Sequence, residues 1–116
     1  MFDTLEIFGL AQAQARHAAA RQAVVAQNIA NADTPGYRAR DLTPFADMVR
    51  GLDARAGGFP DFAIRTVDAG GPASPNGNTV SLETEMLRGI EAQRSHSRAL
   101  RVYESALTVL RSSLGR

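Results

Sequence analysis

Helix-forming residues occupy the two ends of this chain, and helix-breaking residues fill the space between them. Phe8, Ala11, Ala15, Ala18, Gln22, Val25, Ile29 and Ala32 follow one another in steps of three and four, with Gln22 the only polar member. That spacing is the seam of a coiled coil. Leu82, Met86, Gly89, Gln93, His96, Leu100, Tyr103, Leu107, Leu110 and Leu114 repeat the pattern near the other end, where Val102, Ala106 and Val109 add a flanking row. Between the two lie Gly51, Gly57, Gly58, Gly70, Gly71 and Gly77 with Pro44, Pro60, Pro72 and Pro75. The pattern predicts a mostly α fold. Two long terminal helices pair as a coiled-coil-like hairpin or bundle, joined by a flexible Gly/Pro-rich middle with at most a short strand or helix. The divisions expected are 1–32, 33–80 and 81–116.

Local signals refine this outline. Asp3 and Glu6 have the spacing of a capping box for the first helix. That helix is expected to stop near Asn31, because Thr34 precedes a proline and is pushed toward extended backbone. Pro35-Gly36 suits the centre of a type II turn, with glycine taking the positive φ. A helical turn is expected near Phe45–Leu52. Alternation over Phe62–Val67 suits a strand or half of a hairpin, and Ala69–Asn78 reads as a flexible loop. Ser81 is a candidate N-cap, with Glu83 and Glu85 near the positive end of the helix dipole. The last helix is expected to run to about 50 Å against about 40 Å for the first, and so to project beyond it.

Several function classes are excluded on chemical grounds. The formal net charge is +1, too small to attract nucleic acid or an acidic membrane by bulk field. There is no cysteine, hence no disulfide framework and no thiolate site. No apolar run approaches the roughly 20 residues needed to span a bilayer, and the first residues lack the pattern of a secretory signal. His17 and His96 fall on different helices, and neither has a carboxylate at ligand spacing. Glu83, Glu85 and Glu91 read as a solvated acidic face. Arg94, Arg98 and Arg101 read as a basic stripe paired with Glu91 and Glu104. No catalytic, cofactor or metal site is expected. The broad apolar face of the last helix exceeds what one Ala-rich partner covers, so burial is expected to be completed by other chains.

One stretch is more specific. Asn28, Ile29, Ala30 and Asn31 are followed by Thr34, Pro35, Gly36 and Tyr37, at the end of the first helix. This segment resembles the signature of flagellar axial proteins, the rod and hook family of the bacterial flagellum. The opening Met-Phe-Asp-Thr-Leu-Glu-Ile-Phe, Ala39-Arg-Asp41 and Gly77-Asn-Thr-Val-Ser-Leu-Glu83 resemble proximal rod members of that family. The resemblance implies a structural subunit of the basal body, exported through the type III apparatus without a cleaved signal. It implies a place in the periplasmic rod, assembly through the terminal helices into a torque-bearing helical tube, and no enzymatic activity. The partners it implies are further copies, other rod proteins, the ring-to-rod adaptor and the rod-capping protein. The assembly seam expected on this basis is Phe8, Ala11, Ala15, Ala18, Val25 and Ile29 with Leu82, Met86, Leu100, Tyr103, Leu107, Leu110 and Leu114. A helical adaptor binding one partner through its last helix explains the seams but not the Asn-to-Tyr motif.

Overall fold

The computed structural model describes residues 2–53 and 64–115. Two long helices dominate it: α1 (Phe2–Ala30) and α3 (Leu82–Ser113). Between them lie β1 (Arg40–Leu42), α2 (Phe45–Asp53) and β2 (Thr66–Asp68). The molecule is a slat of 63 × 29 × 15 Å. No helix among the described residues is long and apolar enough to cross a membrane.

The long helices run antiparallel. Phe8 meets Tyr103 edge-on, with ring centroids 4.9 Å apart. Gln14 donates to the Ser95 hydroxyl at 3.2 Å, Arg21 reaches Glu91 at 3.1 Å, and Asn28 reaches Glu85 at 2.9 Å. The line of contact is built from small residues. Ala11, Ala18 and Val25 of α1 are buried against Glu85, Ala92, Ala99 and Ala106 of α3, four positions spaced by sevens. Small side chains let the backbones approach closely, but they bury little apolar surface. At about 0.8 kcal/mol per methyl-sized group, the five alanines contribute roughly 4 kcal/mol. That is thin support for two helices of this length.

The lengths differ less than expected: 29 residues in α1 and 32 in α3. α3 overhangs by about one turn only, because α1 begins at Phe2 and already includes Asp3, the expected cap. Ser81 does cap α3, accepting from the Thr84 N–H at 3.4 Å with an extended backbone.

The middle is more structured than its composition implies. β1 and β2 pair antiparallel, with Arg40 opposite Asp68, Asp41 opposite Val67 and Leu42 opposite Thr66. The strand expected at Phe62–Val67 begins at Thr66; Phe62 and Ala63 lie outside the described residues, as do Gly57, Gly58 and Pro60. α2 follows where a helical turn was expected. β1 lies along α1, with Leu42 and the preceding Ala39 buried. His17 closes this contact: its Nε2 donates to the Thr43 carbonyl at 2.8 Å, and its ring lies 5.6 Å from that of Phe45. A buried histidine with a carbonyl partner and an aromatic neighbour is a packing element.

Candidate functional site

The segment Asn28–Tyr37 is the chain's most distinctive sequence, and the structure shows what those residues hold together. After α1 ends, the Tyr37 N–H donates to the Thr34 carbonyl at 3.2 Å, closing a turn with Pro35 and Gly36 at its centre. Gly36 has φ +74°, as a type II turn requires. Asn31 and Thr34 brace the turn: the Thr34 hydroxyl donates to Asn31 Oδ1 at 3.1 Å, and Asn31 Nδ2 donates to the Gln27 carbonyl at 2.9 Å.

The residues preceding α3 clasp this turn. Gly36 N–H donates to the Asn76 carbonyl at 2.9 Å, and Thr79 N–H to the Tyr37 carbonyl at 3.0 Å. The buried Asn78 amide donates to the carbonyls of Asn31 and Thr34, both at 2.8 Å, a second bond for each, since they already accept from the N–H groups of Thr34 and Tyr37 within the turn. Its Oδ1 accepts from the Val80 N–H at 2.7 Å, and the Thr79 hydroxyl accepts from the Ala39 N–H at 2.8 Å. Gly77 sits back to back with Gly36; a Cβ on it would lie 3.4 Å from the Gly36 Cα. The two stretches that carry the resemblance therefore form one joint. The loop expected to be flexible through Asn78 is instead pinned at its end. Gly36→Val is expected to cost about 2 kcal/mol, since a β-branched residue is strained at this φ although no atom blocks the space. Denaturant unfolding measures it; an unchanged midpoint would contradict the role given to Gly36.

Behind the turn, Asn28 is fully buried and makes all four hydrogen bonds its amide allows. Nδ2 donates to the Arg40 carbonyl at 2.7 Å and to Glu85 Oε1 at 2.9 Å. Oδ1 accepts from the Tyr37 hydroxyl at 3.0 Å and the Arg40 N–H at 3.1 Å. One side chain thus ties α1, the turn, β1 and α3 together. Glu85 is also fully buried, a departure from the solvated acidic face expected. Its second oxygen accepts from Arg88 at 2.7 Å, and Arg88 lies 3.5 Å from Asp41. Asp41 takes a two-pronged contact from Arg21 at 3.0 and 3.2 Å, and Arg21 extends to Glu91. Among the described residues no buried side-chain nitrogen or oxygen lacks a partner.

Burial opposes charge on Asp41, but the Arg21 hydrogen bonds, the Leu42 N–H and the charges of Arg21 and Arg88 outweigh it. They hold the Asp41 pKa below the ordinary carboxylate value. Burial likewise opposes charge on Arg21, and Asp41 with Glu91 raises its pKa regardless. Because the folded Asp41 pKa is depressed, its contribution is present above the unfolded value and is lost as pH falls through the folded one. Unfolding midpoints measured from about pH 5 downward should therefore fall less steeply for Asp41→Asn than for the parent. Parallel curves would contradict the linkage.

The expected assembly seam divides into two sets. Ala11, Ala18 and Val25 are buried between the helices, and Phe8, Ala15, Tyr103, Leu107 and Leu110 are half-buried. Ile29, Leu82, Met86, Leu100 and Leu114 are exposed and are not part of the contact within the hairpin. On α3 the buried positions Glu85, Ala92, Ala99 and Ala106 fall one before Met86, Gln93, Leu100 and Leu107 of the expected seam, whereas Gly89 and Tyr103 of that seam do face α1. The alanines admit the close approach of α1 and turn their larger neighbours onto the flank. Ala30, Thr34, Pro35 and Gly36 are exposed at the joint. The basic stripe also differs from expectation: Glu91 pairs with Arg21, and Arg94, Arg98 and Arg101 make no ion pair among the described residues. Arg21, Asp41, Asn78, Glu85 and Arg88 were not anticipated as joint residues. The sevenfold spacing that continues from Ala106 back to Glu85 was the available signal for the last carboxylate.

Every polar group in the joint is spent on holding the chain together. Among the described residues no three His, Cys, Asp or Glu side chains converge as metal ligands. Comparison with known proteins agrees with a structural role. Residues 9–38 match the family described as Flagella basal body rod protein. The flagellar basal body rod protein FlgB of Salmonella typhimurium (strain LT2) is 34% identical over 118 residues, covering 83% of this chain and 78% of that protein. The FlgB protein of Agrobacterium fabrum (strain C58) is 42% identical over 53 residues, covering 46% of this chain and 40% of that protein. That of Escherichia coli (strain K12) is 58% identical over 40 residues, covering 31% and 29% respectively. The chain belongs to the FlgB family of flagellar basal body rod proteins, as a structural subunit and not an enzyme.

Proposed function

We propose that this subunit joins the proximal rod through the uncovered flanks of its terminal helices, which pack with neighbouring subunits into a helical tube that carries motor torque. The observation that carries the reading is the surface α3 leaves open. Leu82, Met86 and Leu100 are 53%, 64% and 47% exposed along one flank. Exposed apolar side chains aligned on a helix, beside an intramolecular seam built from alanine, mark a surface that is covered in an assembly. The polar joint supplies the other requirement. It fixes the angle between the hairpin and the middle segment, so that force on one is delivered to the other.

In this reading the joint residues Asn28–Asn31 and Thr34–Tyr37 hold the subunit's shape, and the flanking seam makes the contacts. Other rod proteins, the ring-to-rod adaptor and the rod-capping protein are the partners, in the periplasm after type III export. The test is a tagged chain as the sole copy in a flagellated host. The tag is expected in purified basal bodies, at the base of the shaft. A motile strain whose basal bodies lack it would refute the proposal.

A further inference from the structure

The outer face of α3 carries unlike chemistry at its two ends. In its first turns Leu82, Met86, Leu87 and Ile90 are exposed, and beside them is Glu83, also exposed and without an ion pair among the described residues. Farther along, Val102, Ala106 and Val109 meet Ile7 of α1 in an apolar groove of about 350 Å³, rimmed by Arg98 and Arg101. Neither arginine makes an ion pair among the described residues: Glu91, two turns before Arg98, is held by Arg21, and the exposed Glu104, next to Arg101 on the helix surface, makes none. An acidic apolar ridge and a basic apolar groove thus lie on one continuous helix. About 15 residues, or roughly 22 Å, separate their centres. A straight helix cannot fold back on itself, so the two cannot meet within one molecule.

We infer that the opening turns of α3 in one subunit dock into the Arg98–Arg101 groove of a second copy. The inference rests on the rod reading and names the partner at this surface. Charge decides the pairing: Glu83 approaches the free arginines as the four apolar side chains cover the groove floor. The surfaces in contact differ, so the contact is heterologous and leaves a free ridge at one end and a free groove at the other. Such a contact propagates a row of copies staggered by roughly 20–25 Å along the helix axis. An anionic lipid surface would satisfy the basic groove but leave the acidic ridge without a role.

The absence of cysteine permits a direct test. The double variant Leu87→Cys/Val102→Cys is expressed as the only copy in a flagellated host, and its isolated basal bodies are oxidised. Disulfide-linked dimers, trimers and higher oligomers of this chain are expected, with no ladder from either single variant. Arg98→Glu/Arg101→Glu should reduce the ladder by at least about tenfold, and adding Glu83→Arg should restore it. Where the cysteine variants prevent assembly, the charge series in the otherwise unaltered chain is read by basal-body content, with the same loss and recovery expected. Basal bodies that contain the chain but give no ladder, or an adduct with a different component, overturn the head-to-tail contact and leave the rod reading standing. Basal bodies that lack the unsubstituted chain overturn both. Binding to anionic phospholipid vesicles that Arg98→Glu/Arg101→Glu abolishes and Glu83→Arg does not restore also overturns the inference, in favour of a lipid surface.

Discussion

Asn28→Asp is expected to lower the unfolding free energy by about 4 kcal/mol, a large share of the roughly 5–15 kcal/mol that keeps a domain folded. The change is nearly isosteric, so packing is not the cause. Asn28 Nδ2 donates to Glu85 Oε1 at 2.9 Å and to the Arg40 carbonyl at 2.7 Å. A carboxylate in its place presents an acceptor to two acceptors, and sets two negative charges side by side where neither reaches water. The Tyr37 hydroxyl and Arg40 N–H can still donate to the other oxygen, so the loss lies on the Glu85 side. Glu85→Gln in the same chain should recover part of the stability, since a glutamine can donate to the new carboxylate while accepting from Arg88. A double-mutant cycle measured by denaturant unfolding should show coupling of about 2 kcal/mol. Additive costs would mean that the two side chains do not meet.

Leu100→Asp is expected to have little effect on the isolated subunit and a large effect on assembly. Leu100 is half exposed in the hairpin, so an aspartate there remains solvated. Once a neighbouring subunit covers the flank, the same carboxylate is buried without a partner, at a cost of about 3–5 kcal/mol. That corresponds to a loss of at least about 100-fold in incorporation. Circular dichroism of the purified chain should be unchanged, export should continue, and basal bodies should lack the variant. Leu107 and Leu110 are half-buried against α1, so aspartate at either would weaken the hairpin as well as the assembly. Leu100 separates those effects.

The helices, the end of α1, the start of α3 and the turn at Gly36 were legible in the sequence because each depends on local chemistry: periodicity, a capping serine, a proline before a glycine. The joint was legible only as a pattern. The resemblance marked both Asn28–Tyr37 and Gly77–Glu83, but no local rule says that two segments some 40 residues apart hydrogen-bond to one another. Glu85 was misread for a related reason. A glutamate in the first turn of a helix is ordinarily a solvated partner of the dipole. Here it is buried because Asn28 and Arg88 supply the donors that make burial tolerable, and both lie outside the reach of a first-turn argument. One row of the α3 seam was displaced by one position, although Tyr103 and Gly89 do face α1, because large hydrophobes dominate a periodicity reading, whereas the closest contact is made by the alanines beside them. Large residues on the flank and small ones on the seam are the arrangement of a helix that meets one partner inside its own chain and another outside it.

Solvent accessibility at position 100, before and after assembly, tests this most directly. In a chain with no native cysteine, Leu100→Cys gives a single site for maleimide labelling. Rapid labelling in the isolated subunit and strong protection in purified basal bodies are expected, with a Ser74→Cys control in the exposed loop labelled in both. Equal labelling of position 100 in the two states would contradict the account, because the flank of α3 would then be as open in the rod as it is in the single subunit.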